Sequence, residues 1–409
     1  MYDAIVIGAR CAGSPTAMLL ARRGFKVLLV DKATFPSDTI STHILWPHGA
    51  EILRRWGLLH RLVATGVPPI CRRMTFDVGP FALRGTIPDA NDGRGGFCPR
   101  RTVLDALLVN AAAESGADVR EGFTVDELLV ADDTVVGIRG HAKGMKSSEE
   151  RARIVIGADG VHSFVARTAG APEYDAQPVA ACAYYSYFSG IRQDDIELYV
   201  RNHVAFGGAP TNDGLHLVMV NWPARDFPIV RNDVEGHVWR ALEAAPDFLA
   251  RVREGRREEK WYGTSGVPGY LRRPYGKGWA LVGDASYNRD PITAQGISDA
   301  FIDAESLVEA LSRGLLAGVF DGPLATHESA RNERVRPMYE FTTHLAALEP
   351  PPPDMQALFG ALRHNQDATN AFLSAITGAI PLPDFMSTEN IGRIMAAANE
   401  LETTAARTI

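Results

Sequence analysis

The chain has 409 residues, of which 46% are hydrophobic and 22% charged, the composition of a globular protein long enough for two or three domains. Its net charge of −7 argues against a nucleic-acid partner, because the surface of such a protein is basic. No apolar run reaches the ~18 residues that a transmembrane helix needs. The four cysteines have no spacing typical of a metal site or a disulfide framework. A first strand that begins within five residues of Met1 leaves no room for a signal peptide, so we expect a cytoplasmic protein with reduced thiols and no bound metal.

The first predicted element is a buried parallel strand, Ile5 to Ile7, that runs into a turn at Gly8. Gly13 occupies the position of the third glycine of G-x-G-x-x-G, a helix runs to Gly24, and a second strand ends at Asp31. In such a unit the free N–H groups of the helix receive a pyrophosphate, and the acid accepts hydrogen bonds from a ribose. The spacing therefore predicts a dinucleotide site.

Arg10 stands at the middle glycine of this pattern, where the missing side chain normally lets the backbone approach the phosphates. Two interpretations are open. Either the pyrophosphate is slightly displaced, or the guanidinium takes part in binding it.

The next part of the chain changes from helical to strand patterns and back. From Cys71 to Cys98, short alternating runs predict strands of a second layer. A helix follows, opened by Thr102 and Asp105 in the manner of a capping box. After a small antiparallel unit, a second buried strand leads into a glycine turn at 157–160.

An aromatic, turn-rich passage then predicts the antiparallel sheet of a substrate domain. On one of its strands we expect Tyr184 and Tyr187 to line a substrate pocket and Tyr185 to point away. A third glycine passage, Gly278 to Ala285, leads into a long helix with apolar residues at helical spacing. From about His327 the chain is predicted to be mostly helical.

Three separate passages occur in a fixed order: the Gly8 to Asp31 unit, GADGVHSFVAR at 157–167 and GDASYNRDPITAQGI at 283–297. Together they resemble the FAD-dependent aromatic hydroxylases, the group A flavoprotein monooxygenases, over about residues 1–315. The resemblance implies the α/β fold of para-hydroxybenzoate hydroxylase. That fold has a Rossmann-like FAD-binding domain and an antiparallel-sheet substrate domain, here followed by a C-terminal helical segment. The expected boundaries are 1–70, 97–175 and 263–326 for the FAD-binding domain, 71–96 and 176–262 for the substrate domain, and 327–409 for the helical region.

The resemblance also implies the cofactor contacts. It assigns the FAD pyrophosphate to the first glycine turn and to Arg101, and the adenosine to Asp31 and the backbone at Val125. It assigns the ribityl chain to Asp284 and the flavin ring to Pro291–Ile297. The residues expected to bind FAD are Gly8, Arg10, Cys11, Ala12, Gly13, Asp31, Lys32, Arg101, Val125, Asp159, Gly160, Asp284, Pro291, Ala294, Gln295, Gly296 and Ile297.

Several of these expectations carry a condition or an alternative. Asp284 is alternatively a turn or cap aspartate, and Arg101 a solvated arginine at the start of a helix. Ala294 replaces the first glycine of the family's usual G-Q-G, and its methyl group is tolerated there if its φ is negative. Asp159 either binds the cofactor or fixes its own turn. His43, in the loop after the second strand, is a candidate base or substrate anchor, with a buried structural histidine as the alternative.

The implied function is a monooxygenase that uses NAD(P)H and O2 to oxygenate a small electron-rich, aromatic substrate through a flavin C4a-hydroperoxide. A C=C reductase of the geranylgeranyl reductase type and a non-catalytic flavoprotein are the alternatives. A flavin-dependent halogenase is disfavoured because the chain lacks a W-x-W-x-I-P passage. The helices of residues 327–409 either cap the pocket or form a homodimer contact.

Overall fold

The computed structural model of the chain describes residues 1–87 and 95–407. Residues 88–94 of the predicted second layer and 408–409 of the predicted helical region lie outside the described residues. The strands are β1 Tyr2–Ile7, β2 Val27–Val30, β3 Met74–Asp77, β4 Ala82–Gly85, β5 Asp118–Arg120, β6 Phe123–Ala131, β7 Thr134–Ala142, β8 Ser148–Gly157, β9 Glu173–Gln177, β10 Ala181–Ser189, β11 Ile196–Arg201, β12 Val204–Pro210, β13 His216–Pro223, β14 Arg256–Arg257, β15 Tyr262–Thr264, β16 Gly269–Arg272, β17 Tyr275–Gly276, β18 Trp279–Leu281 and β19 Tyr287–Asn288. The helices are α1 Gly13–Arg22, α2 Pro47–Arg55, α3 Leu59–Val63, α4 Arg101–Glu114, α5 Phe164–Thr168, α6 Phe227–Val230, α7 Val234–Leu242, α8 Pro246–Glu254, α9 Gly296–Ala317, α10 Asp321–Ala346, α11 Pro353–Leu362, α12 Gln366–Ile376, α13 Leu382–Phe385 and α14 Thr388–Arg407.

The first sheet is built on parallel strands in the order β18-β8-β1-β2-β5, with β17 at one edge and the β6–β7 hairpin joined to β8. Its central strands are apolar and buried, as expected for a parallel sheet covered on both faces. Helices α1, α2, α4 and α9 pack on one face, and the hairpin and α5 on the other. Gly157 pairs with both Ile7 and Leu281, so the carboxyl ends of β8, β1 and β18 lie side by side.

The second sheet has the order β14-β10-β13-β12-β11-β3-β4, with β15 beside β10. The prediction that this sheet is antiparallel is wrong at one pair, because β3 lies parallel to β11. Strand β3 comes from a separate early segment, so no hairpin turn fixes its direction relative to β11. A small third sheet, β19-β16-β9, was not predicted.

The C-terminal helices cover the inner face of the second sheet. Side chains of α11, α12 and α13 form one core with Phe76 of β3, Leu217 of β13 and Ala294 of the loop before α9. The expected α/β fold with an FAD-binding-type domain, a sheet domain and a helical region is thereby confirmed. No helix within residues 1–87 and 95–407 is long and apolar enough to cross a membrane.

Candidate FAD and substrate site

The predicted cofactor residues follow the carboxyl ends of neighbouring parallel strands. Gly8 follows β1, Asp31 follows β2, Asp159 comes two residues after β8, and Asp284 comes three residues after β18. This edge of a parallel sheet is where α/β proteins bind nucleotides. Positions far apart in the sequence are therefore brought to one edge.

The glycines of the first and third passages allow the backbone to pack closely. Gly8 has a φ of +102°, and a Cβ on Gly13 would lie 1.7 Å from the Gly8 oxygen. A Cβ on Gly283 would lie 2.6 Å from the Cβ of Ala12, so the first and third passages are in contact. Helix α1 starts there without a side-chain cap. The N–H groups of Ser14 and Thr16 bond the Arg10 and Ala12 oxygens and Pro15 has none, which leaves the N–H of Gly13 available to an anion.

Asp31 lies at the adenosine end of the expected cofactor site. Its carboxylate accepts hydrogen bonds from the N–H groups of Ala9, at 2.7 Å, and Ala33, at 2.8 Å. It is half-buried, whereas the neighbouring Lys32 is exposed. The carboxylate is thereby held beside the glycine turn, where a ribose is expected.

Arg10 points into a cluster of charged groups centred on Asp105, a residue that the sequence did not indicate as a binding residue. Its guanidinium lies 2.6 Å from the fully buried carboxylate of Asp105 and also donates to Ser37 Oγ at 2.8 Å. Arg101 donates to the same carboxylate at 3.1 Å, and Cys11 Sγ lies 3.4 Å from it. The Arg10 side chain therefore links α4 to the loop after β2. This contact directly supports neither a displaced pyrophosphate nor a pyrophosphate bound by the guanidinium.

The capping box predicted for α4 is absent. The helix begins at Arg101 with no side-chain cap, and Asp105 binds the two arginines instead of the backbone of Thr102. A buried carboxylate gains more from two guanidinium groups than from an N–H group at a helix end. A short polar pattern cannot reveal this, because Arg10 is 95 residues away from Asp105.

Arg101 also provides the positive charge that acts most strongly on Asp284. The surrounding protein raises the pKa of Asp284 to about 6, and the attraction of Arg101 opposes that shift. The Asp284 side chain is nevertheless accessible to solvent, so it lies in a crowded but open cleft. A carboxylate in this position can accept hydrogen bonds from hydroxyl groups such as those of a ribityl chain.

Asp159 is used by its own turn. It accepts hydrogen bonds from Ser163 Oγ at 2.5 Å and from the N–H groups of Phe164 at 2.7 Å and Val165 at 3.1 Å. Gly160 follows with a φ of +77°. These contacts account for the D-G pair structurally, and direct contact with a cofactor stays a prediction. The same holds for Val125, which lies in β6 beside an irregularity in its pairing with β7.

The loop predicted to line the flavin ring is a short 3₁₀ turn, Pro291–Thr293, before α9. The condition set for Ala294 is not met: its φ is +54°, in the left-handed region. The chain must reverse there to start α9 at Gly296, and the turn imposes a conformation that favours glycine. Gln295 fixes the loop to the C-terminal region by donating to the Ile376 oxygen at 3.0 Å. A Cβ on Gly296 would meet no atom within 4 Å outside its chain neighbours and its own helix, so the start of α9 is open on this side.

His43 is fully buried at the boundary between the two sheets. Its Nε2 is 2.8 Å from the hydroxyl of Tyr187, and its ring packs edge-on against Tyr185 at 5.1 Å. Burial, with the charges of Arg101 and Arg100, lowers the pKa of His43 to about 3. A histidine with this pKa is a weak base at neutral pH, which supports the structural alternative over the catalytic one.

The predicted orientation of the tyrosines is wrong. Tyr185 and Tyr187 lie on the same face of β10 as His43, whereas Tyr184 faces the other way and stacks on Phe227 at 6.2 Å. Side chains two residues apart in a strand share a face, and those three apart do not. Tyr187 thus lies near the site, and Tyr184 packs into the outer core of the second sheet.

A cavity of about 90 Å³ lies between this sheet and the helical region. Its floor is the inner face of β3, β11, β12 and β13, and its roof includes Phe341 of α10 and Ile376 of α12. Thr42 and Ile44, on either side of His43, also line it, as does Ala294. No charged side chain of the described residues lines the cavity, so it suits an apolar ligand.

These features define the chain as a flavoprotein of the α/β class with an apolar cavity beside the expected flavin ring. The model of the FAD binding domain family matches residues 1–342, and the chain belongs to this family of para-hydroxybenzoate-hydroxylase-type flavoproteins.

Its curated relatives include a digeranylgeranylglycerophospholipid reductase of Methanosarcina mazei. The two are 32% identical over 335 residues, which is 76% of each chain. Among solved structures, a flavoprotein/dehydrogenase from Cytophaga hutchinsonii has a TM-score of 0.81 at 20% identity, covering 98% of this chain and 100% of that one. A probable FAD-dependent monooxygenase from Pseudomonas aeruginosa has a TM-score of 0.70 at 19% identity, covering 91% and 99%. At these identities the structural matches establish the fold only.

The residues at the cleft fit FAD. The uncapped start of α1, the accessible Asp284 and the open space over Gly296 are arranged along one edge of the sheet. The chain is therefore an FAD-dependent oxidoreductase by family, and its substrate and reaction are the subject of the proposal below.

Proposed function

We propose that this protein is an FAD-dependent reductase that saturates a carbon–carbon double bond in an apolar, isoprenoid-like substrate. The observation that carries the proposal is the cavity beside Ala294, which lies along the inner face of the second sheet and has no charged side chain among the described residues. The relative from Methanosarcina mazei is named for the reduction of a lipid that carries geranylgeranyl chains, and it matches three quarters of this chain.

The roles of the protein's own residues follow from their positions. Bound FAD, once reduced, supplies a hydride equivalent, and a proton completes the addition of two hydrogens across the double bond. Gly8, Gly13 and Arg101 would hold the phosphates, while Asp284 would orient the ribityl chain. The apolar lining excludes water and holds the substrate next to the Pro291–Ala294 loop. NAD(P)H is the proposed reductant.

A monooxygenase that uses NAD(P)H and O2 is the second candidate. The same lining favours it, because oxygen transfer also requires a site from which water is excluded. The low pKa of His43, about 3, argues against the version in which His43 deprotonates a phenol.

One experiment separates these functions. The FAD-loaded protein is reduced without O2 and mixed with geranylgeraniol, and the products are analysed by mass spectrometry. The reductase gives a product heavier by two hydrogens under anaerobic conditions. A product that forms only in the presence of O2 and contains its oxygen would instead establish the monooxygenase. If NAD(P)H and dithionite fail to reduce the bound flavin at all, both proposals are wrong and a non-catalytic flavoprotein is favoured.

A further inference from the structure

Asn221 is the one amide side chain that lines the cavity among the described residues. It lies on β13 with Leu217 and Met219, which share its face, and only 8% of it is exposed. Its Nδ2 is 3.4 Å from the Ala205 oxygen, which is at the long limit for a hydrogen bond. Its Oδ1 accepts no hydrogen bond from the part of the chain that the structure describes.

The Oδ1 atom is not among the fully buried side-chain atoms without a partner, so it is open to the cavity and can accept a hydrogen bond from a ligand. The flanking residues in register, Ala183 on β10 and Ala205 on β12, are small and do not cover the amide. The lining also includes the hydroxyl groups of Tyr199, Thr42, Thr293 and Thr377. Three of these already have partners within the protein, because Tyr199 donates to Glu197, Thr293 pairs with Thr342 and Thr377 donates to the Leu373 oxygen. Asn221 is therefore the one neutral amide that faces the cavity among the described residues.

The position of Asn221 relates it to the expected flavin ring. Ala205, its neighbour in register, packs in one small cluster with Leu348, and Ile292 packs against the same cluster. Ile292 belongs to the Pro291–Thr293 turn. The amide thus lies next to a residue, Ala205, whose cluster is contacted by the loop that is expected to contact the ring.

The cavity floor has a shallow trough that extends from this amide along β12. Ala205, Gly207 and Ala209 face the cavity, and the larger side chains of Met219 on β13 and Leu198 on β11 border them in register. Four residues of antiparallel strand span about 14 Å. An extended hydrocarbon chain fits this shape.

The charge of the lining restricts the polar group of the ligand. A phosphate or carboxylate in the cavity would be desolvated without a counter-charge from any described lining residue, at a cost of several kcal/mol. A hydroxyl or a carbonyl group would pair with Asn221 at no such cost.

We propose that the site binds a neutral molecule with one hydroxyl or carbonyl group held by Asn221 and an apolar chain lying along β12. This inference rests on the proposed function only for the reaction, because the substrate class is inferred from the cavity lining. It also sets this chain apart from a relative named for a phospholipid.

The test compares three ligands with the same carbon chain: farnesol, farnesene and farnesyl phosphate. Their affinities for the oxidised FAD-loaded protein are measured by calorimetry, so no turnover is needed. We expect farnesol to bind about tenfold more tightly than farnesene, the value of one good hydrogen bond, and farnesyl phosphate to bind more weakly than farnesol. This ranking is measured on the unaltered protein and does not depend on the folding of a variant.

Asn221→Leu should weaken farnesol about tenfold and leave farnesene unchanged, since it removes one hydrogen bond at similar volume. Met219→Leu is the matched control on the same face, and it should change both affinities alike. Equal or tighter binding of farnesyl phosphate, or an equal loss for farnesol and farnesene in Asn221→Leu, would overturn the inference. Binding as expected without any reduction would refute the proposed function alone, and reduction without the expected ranking would refute this inference alone.

Discussion

The cofactor side and the substrate side of this protein are built on opposite physical principles. At the edge of the first sheet, the cleft is defined by close backbone packing at Gly8 and Gly13 and by the charge cluster on Asp105. On the inner face of the second sheet, the cavity is defined by apolar side chains, several hydroxyl groups and one amide, Asn221. The cofactor cleft tolerates few substitutions, because its charged groups are buried and its backbone is tightly packed. The cavity tolerates changes in side-chain volume, and its specificity depends on the few polar groups of its lining.

The largest expected effect concerns the charge cluster. Asp105→Asn leaves Arg10 and Arg101 without their shared carboxylate, and we expect it to lower the free energy of unfolding by about 3 kcal/mol. Urea denaturation of the FAD-free protein measures this. Glu114→Gln removes an exposed ion pair with Arg61 and is the control, with an expected loss below about 1 kcal/mol. Similar losses in the two variants would contradict the role given to Asp105.

Close packing at the glycine turn should have the next largest effect. Gly13→Ala places a methyl carbon 1.7 Å from the Gly8 oxygen, so the turn must shift, and we expect a loss of about 2 kcal/mol together with loss of FAD. Gly296→Ala is the control in open space, and it should not destabilise the FAD-free protein. Flavin fluorescence and thermal unfolding measure both variants. Normal FAD binding by Gly13→Ala would refute the assignment of this turn.

The titration of Asp284 gives a pH-dependent prediction. Because its pKa in the FAD-free protein is about 6, the carboxylate takes up a proton as the pH falls below 6 and loses an acceptor for the ribityl hydroxyls. We expect FAD affinity to be constant above pH 7 and to fall by up to about tenfold per pH unit below 6.

The control for this titration uses the second carboxylate with a similar pKa. Burial also raises the pKa of Asp290 to about 6, but its carboxylate accepts from the N–H groups of Ile292 and Ala181. Asp284→Asn should flatten the pH profile of FAD affinity, and Asp290→Asn should not. A profile that survives Asp284→Asn would assign the proton to another group.

The smallest expected change in the free energy of unfolding is at Ala294, between the cofactor cleft and the cavity. Ala294→Gly relieves a left-handed conformation but adds freedom to the unfolded chain, and we expect a net gain of about 0.5 kcal/mol. Ala300→Gly, within α9, should have the opposite sign and cost about 1 kcal/mol. Differential scanning calorimetry of both variants checks the signs, and destabilisation by Ala294→Gly would argue against the left-handed conformation.

The same contrast explains how much could be predicted from the sequence. The cofactor fold depends on spacing within short segments, as in the unit from Gly8 to Asp31, and these spacings predicted the parallel sheet correctly. The partners of Arg10 could not be predicted, because the Asp105 carboxylate reaches it only after α4 has folded against α1. The left-handed φ of Ala294 is imposed by the turn into α9, which the residue type does not reveal.

The cavity was less accessible to sequence reasoning. Its lining comes from the loop around His43, four strands of the second sheet, the loop before α9 and two C-terminal helices. No pattern within any one segment indicates that these surfaces meet. The alternation of side chains in a strand would, however, have placed Tyr185 with Tyr187, and Asn221 with Met219, on common faces.

The central claim is that the cofactor cleft and the apolar cavity meet at the Pro291–Ala294 loop. The most direct measurement is the absorbance difference spectrum of the oxidised flavin when farnesol is added to the FAD-loaded protein. We expect a saturable shift of the flavin bands, with a midpoint that matches the calorimetric affinity and moves in Asn221→Leu. Saturable binding of farnesol with no change in the flavin spectrum would mean that the cavity and the flavin are apart, and would contradict the claim.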